Sequence, residues 1–84
     1  YPLLGLAFEA LSAGEGAPIA YNAAAEVAVA AFEAGRIRYS GIAAAVRRCL
    51  ERDWPSRVAD LESIFEIDGL ARSSAEAAVR ELEC

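Results

Sequence analysis

Between Pro18 and Gly35 the chain carries only three strongly polar side chains, Asn22, Glu26 and Glu33, in a run otherwise made of Ala, Val, Ile, Phe and Tyr. Pro18 suits the first helical turn, where a missing N–H costs nothing, and Gly35 supplies the stop. At 100° per residue the three polar positions fall within a strip of roughly 40°, so nearly the whole circumference is apolar. A helix of that kind must be surrounded by protein. The stretch from Ala17 to Ala34 is therefore predicted to be the most buried element of a helical fold. Its polar interruptions argue against a membrane span.

Three more helices can be drawn around it. The first runs from about Pro2 to Ala13, with Gly14 as its stop; Leu3, Leu4, Ala7, Phe8 and Leu11 share one face at helical spacing, and Leu6 and Ala10 lie away from it. Gly14-Glu15-Gly16 reads as a turn, since a phosphate-binding loop would need a preceding strand and a third Gly. Arg36 to Tyr39 alternates polar and apolar over too few residues to build a sheet and is expected to be an extended connection. Ser40 is expected to cap a third helix whose positions Ile42, Ala45, Val46, Cys49 and Leu50 follow the i, i+3, i+4, i+7, i+8 pattern. The segment Asp53-Trp54-Pro55-Ser56 ends it, because the residue before Pro is driven out of the helical region. A fourth helix starts at Asp60 as N-cap and continues to Glu83. Leu61, Ile64, Asp68, Ala71, Ala75, Ala78 and Leu82 trace its seam, with Gly69 as a local weak point. The fold class is all-α, a small four-helix bundle around a central Ala-rich helix, and residues 1–84 form a single helical domain.

Composition narrows the function. Ten Glu and three Asp stand against eight Arg, with no Lys and no His, for a net charge of −5. An acidic chain without a basic cluster is a poor partner for nucleic acid or an anionic membrane. Lack of His removes the commonest general base and metal ligand, so Ser40 and Cys49, the candidate nucleophiles, have nothing to activate them. Cys49 reads as a buried apolar thiol and Cys84 as a chain-end thiol in a reducing, cytoplasmic setting, although sequence alone leaves a disulfide between them open. No signal peptide is visible. The chain opens Tyr-Pro and contains no Met, and it reads as a domain cut from something larger.

Two polar pairs stand out. Asn22 with Glu26, at i, i+4, reads as a hydrogen-bonded stripe facing a partner surface or a neighbouring helix end; two such side chains do not define a metal site. Asp68 with Arg72 reads as an intrahelical ion pair that satisfies an acid near the seam. Trp54 beside Pro55 reads as a lid over one end of the bundle. No catalytic, cofactor-binding or metal-ligating residue is assigned. A stand-alone interaction or carrier module is the competing reading, since acyl carrier proteins are also small acidic four-helix domains. Their attachment Ser follows an Asp, and none of Ser12, Ser40, Ser56, Ser63, Ser73 or Ser74 does.

The run Tyr21-Asn22-Ala23-Ala24-Ala25-Glu26-Val27-Ala28-Val29-Ala30-Ala31-Phe32, followed by Ala34-Gly35-Arg36-Ile37 and Ile42, closely resembles the C-terminal helical domain of 1-deoxy-D-xylulose 5-phosphate reductoisomerase. Tyr1-Pro2, Leu6-Ala7, Glu9-Ala10 and Gly14 resemble the opening of that domain, and Asp68 with Ala71-Arg72 its last helix. The family usually has a second Asn where this chain has Ala25, about 60° from Asn22 at the margin of the polar strip. The resemblance implies a parent enzyme that isomerises and reduces 1-deoxy-D-xylulose 5-phosphate to 2-C-methyl-D-erythritol 4-phosphate in the non-mevalonate isoprenoid pathway. Such a parent uses NADPH and a divalent metal, Mg or Mn, held by domains that are not these 84 residues. The role it implies here is structural, an arm packed on the parent's catalytic domain and inactive alone. Excised, the domain is expected to pair with a second copy through its first or second helix, because both carry more apolar surface than a small bundle needs.

Overall fold

In the computed structural model, which describes residues 2–84 and leaves Tyr1 outside the described residues, four helices follow one another: α1 (Pro2–Ser12), α2 (Gly16–Glu33), α3 (Tyr39–Leu50) and α4 (Leu61–Leu82). The all-α expectation holds. Helices α3 and α4 pack on α2 and on each other, whereas α1 packs on α2 and α3 and does not reach α4. Eleven of the eighteen buried hydrophobic residues are Ala, and such small side chains let helix axes approach closely. Seven residues of α2 are buried, more than in any other helix, as its apolar circumference requires. One side of it stays open, where Val29 and Phe32 are each 38% exposed.

The Gly14-Glu15-Gly16 turn is more than a helix stop. The Gly16 N–H donates to Pro55 O at 2.9 Å and the Glu15 N–H to Ser56 O at 3.0 Å, while Glu15 Oε1 accepts from the Val58 N–H at 2.6 Å. Gly14 has φ 107°, in the region that favours glycine. A Cβ on Gly16 would stand 2.6 Å from Pro55 O, so only glycine lets the two segments touch. Helix α2 therefore begins at Gly16, and Pro18 lies inside its first turn. Trp54 closes the end of α3: its Nε1 donates to Cys49 O at 2.9 Å, with the Arg52 guanidinium over its ring at 5.5 Å.

Four expectations are corrected. In α1 the buried residues are Leu6 and Ala10, with Leu3 and Ala7 half-buried, while Leu4, Phe8 and Leu11 are 54%, 61% and 66% exposed. Positions 3, 6, 7 and 10 repeat at helical spacing as well as 4, 7, 8 and 11 do, and the face with the smaller side chains is the one that fits against an Ala-rich neighbour. In α3 the N-cap is Arg38, without a side-chain capping bond, and Ser40 lies inside the helix; the expected extended connection from Arg36 to Tyr39 is instead a turn and bend over residues 34–37, with Tyr39 already in α3. Buried Ile37 packs against Gly41, where a Cβ would meet Ile37 Cβ at 3.2 Å, and this anchor starts the helix earlier. In α4, Asp60 is the N-cap, accepting from the Ser63 N–H at 2.8 Å, and the helix runs unbroken through Gly69. The seam holds at Ala71, Ala75 and Ala78, but Leu61 and Ile64 are exposed and Ile67 is buried in their stead. At about 1.5 Å per residue α4 is roughly 33 Å long against 27 Å for α2 and 18 Å for α3, and its first buried residue is Ile67.

Candidate functional site

The two polar pairs expected from sequence meet across the α2–α4 boundary. Asn22 Nδ2 donates to Glu26 Oε2 at 3.3 Å, Arg72 Nη2 donates to Glu26 Oε1 at 2.7 Å, and Arg72 Nε donates to Asp68 Oδ1 at 2.7 Å. Both carboxylates hold the guanidinium in its charged form and push its pKa up. Helical periodicity places each pair on its own helix, but only the packing register aligns Glu26 with Arg72.

A second cluster, which the sequence reading did not assemble, lies one groove further along. Arg36 binds Glu76 through both terminal nitrogens, at 2.6 and 3.4 Å, and Glu83 through Nε at 2.8 Å. Arg80 Nε approaches Glu76 Oε2 at 3.7 Å. The Cys84 N–H donates to Arg36 O at 3.2 Å, so the connection after α2 grips the last turn of α4 through side chain and backbone. The hydrogen bonds from Arg36, aided by its charge and that of Arg80, hold the Glu76 carboxyl below its ordinary range against the opposing effect of burial. The seven-residue step from Glu76 to Glu83 puts both acids on one face, a signal that is present in the sequence but gives no hint of Arg36 as their partner. Arg48 and Glu81 form a further bridge from α3 to α4.

Between the two clusters runs a groove of about 440 Å³ lined by Glu26, Val27, Ala30, Arg36, Arg72 and Glu76 among others. Its acids are already engaged by arginines, a donor set suited to clamping helices rather than to a divalent cation. Among the described residues no group of three or more His, Cys, Asp or Glu is placed to hold a metal ion. Ala25 is half-buried and lines a shallow depression with Asn22, Glu26 and Val29 on the open side of α2. Cys49 is buried and Cys84 exposed, both as free thiols. Cys49 lies 3.7 Å from Ala71 O, and burial pushes its thiol pKa up. No described helix is long and apolar enough to cross a membrane. The two arginine clusters bind α4 to α2 and to the connection that follows α2.

Comparison with known proteins places this bundle. Residues 1–74 match the family profile of the DXP reductoisomerase C-terminal domain. The chain is similar to the 1-deoxy-D-xylulose 5-phosphate reductoisomerase of Cupriavidus necator, 48% identical over 82 residues that make up 98% of this chain and 21% of that protein. The enzyme of the same name from Cupriavidus taiwanensis is 51% identical over 80 residues, 94% of this chain and 20% of the relative. That from Trichlorobacter lovleyi is 43% identical over 75 residues, 89% and 19% respectively. No solved structure matches the chain. The chain thus spans about a fifth of the length of the curated relatives it matches. A profile match over most of its residues, and relatives close to half identical across nearly all of them, show that the chain belongs to the DXP reductoisomerase C-terminal domain family.

Proposed function

We propose that this chain is the C-terminal helical domain of a 1-deoxy-D-xylulose 5-phosphate reductoisomerase and acts as its structural arm, without turnover of its own. The observation that carries this is the 48% identity over 98% of the chain, confined to about a fifth of the relative. The parent converts 1-deoxy-D-xylulose 5-phosphate to 2-C-methyl-D-erythritol 4-phosphate for isoprenoid synthesis. NADPH and a divalent metal, Mg or Mn, supply the hydride and the Lewis acid, and both are bound by the part of the enzyme that precedes this domain. No catalytic, metal or cofactor residue is assigned to this segment. The partner of this domain is the parent's catalytic domain. Two unpaired thiols fit a reducing cytoplasmic setting.

The test is direct. The longer polypeptide that carries this segment should oxidise NADPH when given 1-deoxy-D-xylulose 5-phosphate and Mg²⁺, and the 84-residue chain should not. Turnover by the 84 residues alone would refute the structural role. A longer polypeptide inert toward this substrate would refute the parent activity and return the domain to the reading of a stand-alone interaction module.

A further inference from the structure

The outer face of α1 is apolar and uncovered. Leu4, Phe8 and Leu11, at i, i+4 and i+7, are each more than half exposed. They leave apolar surface on the order of 300 Å², the size of a functional patch on a small protein. Glu9 is the single charged residue of this helix. Where the helix starts, Pro2 and Leu3 join Tyr39, Ser40, Ile42 and Ala43 around a mainly apolar notch of about 190 Å³. The inner side of α1 buries only Leu6 and Ala10, and a helix of this length has little stability of its own. A second exposed apolar group on α4, Leu61, Ile64, Phe65 and Leu70, differs in being interleaved with Asp60, Glu62, Glu66 and Asp68.

We propose that the outer face of α1, built by Leu4, Phe8 and Leu11, is the surface on which the preceding part of the same polypeptide docks. This rests on the reading that the chain is the C-terminal domain of a longer enzyme. About four-fifths of each relative lies outside the match, and the matched family profile is a C-terminal domain. The remaining chain therefore joins this domain at the start of α1, beside the notch and Leu4, with Phe8 and Leu11 following about one and two turns further along the same face. Area decides between this occupant and a second copy. Stable complexes between separate molecules bury about 800 Å² per partner, well above what these three residues offer. A covalently attached neighbour is held at an effective concentration of about millimolar and needs far less. The docked surface should be apolar and should shield α1 from water.

Cysteine protection tests the proposal independently of catalysis. Phe8→Cys, and separately Leu11→Cys, are introduced with Cys84→Ser into the 84-residue chain and into the longer polypeptide, and maleimide modification at that position is followed by peptide mass spectrometry. Both sites should react rapidly in the 84-residue chain at a dilution where it sediments as a monomer, and at least tenfold more slowly in the longer polypeptide. Equal rates in the two would overturn the proposal, as would protection at Phe65→Cys with Phe8→Cys reacting freely. Protection in the longer polypeptide that disappears on dilution to monomers would assign the face to a second copy and likewise overturn it. A gene that encodes nothing beyond this segment would sink the parent reading itself. An active reductoisomerase with unprotected α1 positions would sink only the docking face.

Discussion

Arg72 Nη2 stands 2.7 Å from Glu26 Oε1, and this contact turns two intrahelical pairs into a bridge between α2 and α4. Without it Asn22–Glu26 and Asp68–Arg72 would be ordinary i, i+4 neighbours. With it four side chains share one network, next to an Arg36–Glu76 pair that repeats the same connection further along. The Ala-rich core supplies close approach but little side-chain interlocking. The arginines add directional contacts that fix how α4 lies along α2.

Coupling across that bridge is the first expectation. Arg72→Met and Glu26→Gln each remove the interhelical ion pair, so the double variant should lose less stability than the sum of the two singles. Both side chains are substantially exposed, and the coupling should shrink as salt is raised. Urea midpoints for the four proteins of the cycle, at low and high NaCl, measure it. Strict additivity at low salt would mean that the bridge contributes nothing.

What the sequence made legible follows from what periodicity encodes. The central helix, the Asp60 cap and the lower seam at Ala71, Ala75 and Ala78 are local patterns, and each is found in place. The buried face of α1 was illegible because that helix is apolar on more than one side, and only the shape of its neighbours selects Leu6 and Ala10 over Leu4 and Phe8. Likewise Glu15 with Val58, and Arg36 with Glu76, depend on tertiary register, which composition and spacing do not carry. The block from Tyr21 to Phe32 revealed the family more surely than any side-chain chemistry did.

Acid should loosen the α2–α4 clamp. The folded Glu76 carboxyl titrates below its ordinary value of 4.5, chiefly because Arg36 donates to it. Asp60 is likewise depressed below 3.8 by its bonds to Ser63. A depressed carboxylate contributes stability that is complete above the unfolded-state pKa and is lost as pH falls through the folded one. Urea midpoints should therefore be flat from neutral pH to about pH 5 and fall below that. Glu76→Gln should lower the neutral plateau and flatten the acid limb. An unchanged limb in that variant would exclude Glu76 as its source.

Two glycines should respond with opposite sign. Gly69 lies inside α4 with nothing within 4 Å of an added Cβ, so Gly69→Ala should stabilise by about 1 kcal/mol and raise Tm by roughly 4–8 °C. Gly16→Ala drives a methyl to within 2.6 Å of Pro55 O and should cost roughly 1–3 kcal/mol as the turn is forced away from residues 55–58. Thermal melts followed by circular dichroism report both. Equal effects at the two sites would contradict the close contact.

The thiols should behave as different species. Cys84 is exposed and Cys49 buried, and burial raises the Cys49 thiol pKa, which leaves less of the reactive thiolate at neutral pH. A disulfide reagent should titrate one thiol per native chain quickly and the second only in denaturant. Two fast thiols without denaturant would mean that the α3–α4 contact opens readily.

The last expectation concerns how a core built of alanine fails. Ala24, Ala28, Ala45 and Ala75 have no exposed surface, and they sit where α2, α3 and α4 meet. In a core of large residues the costly change is truncation, which leaves a cavity. Here the side chains have almost nothing to lose, and the costly change is addition. Ala24→Val or Ala75→Val adds two methyl groups where no free surface remains and must push the packed helices apart, which should cost roughly 1–3 kcal/mol. It would also pull Arg72 away from Glu26 and Arg36 from Glu76, because both bridges depend on the same α2–α4 spacing. Ala77→Val, at an exposed position of α4, keeps the same chemistry without the crowding and should stay within about 0.5 kcal/mol of the parent. Urea unfolding of the three variants checks the contrast. If the buried and exposed substitutions cost the same, helix propensity rather than close packing governs this bundle.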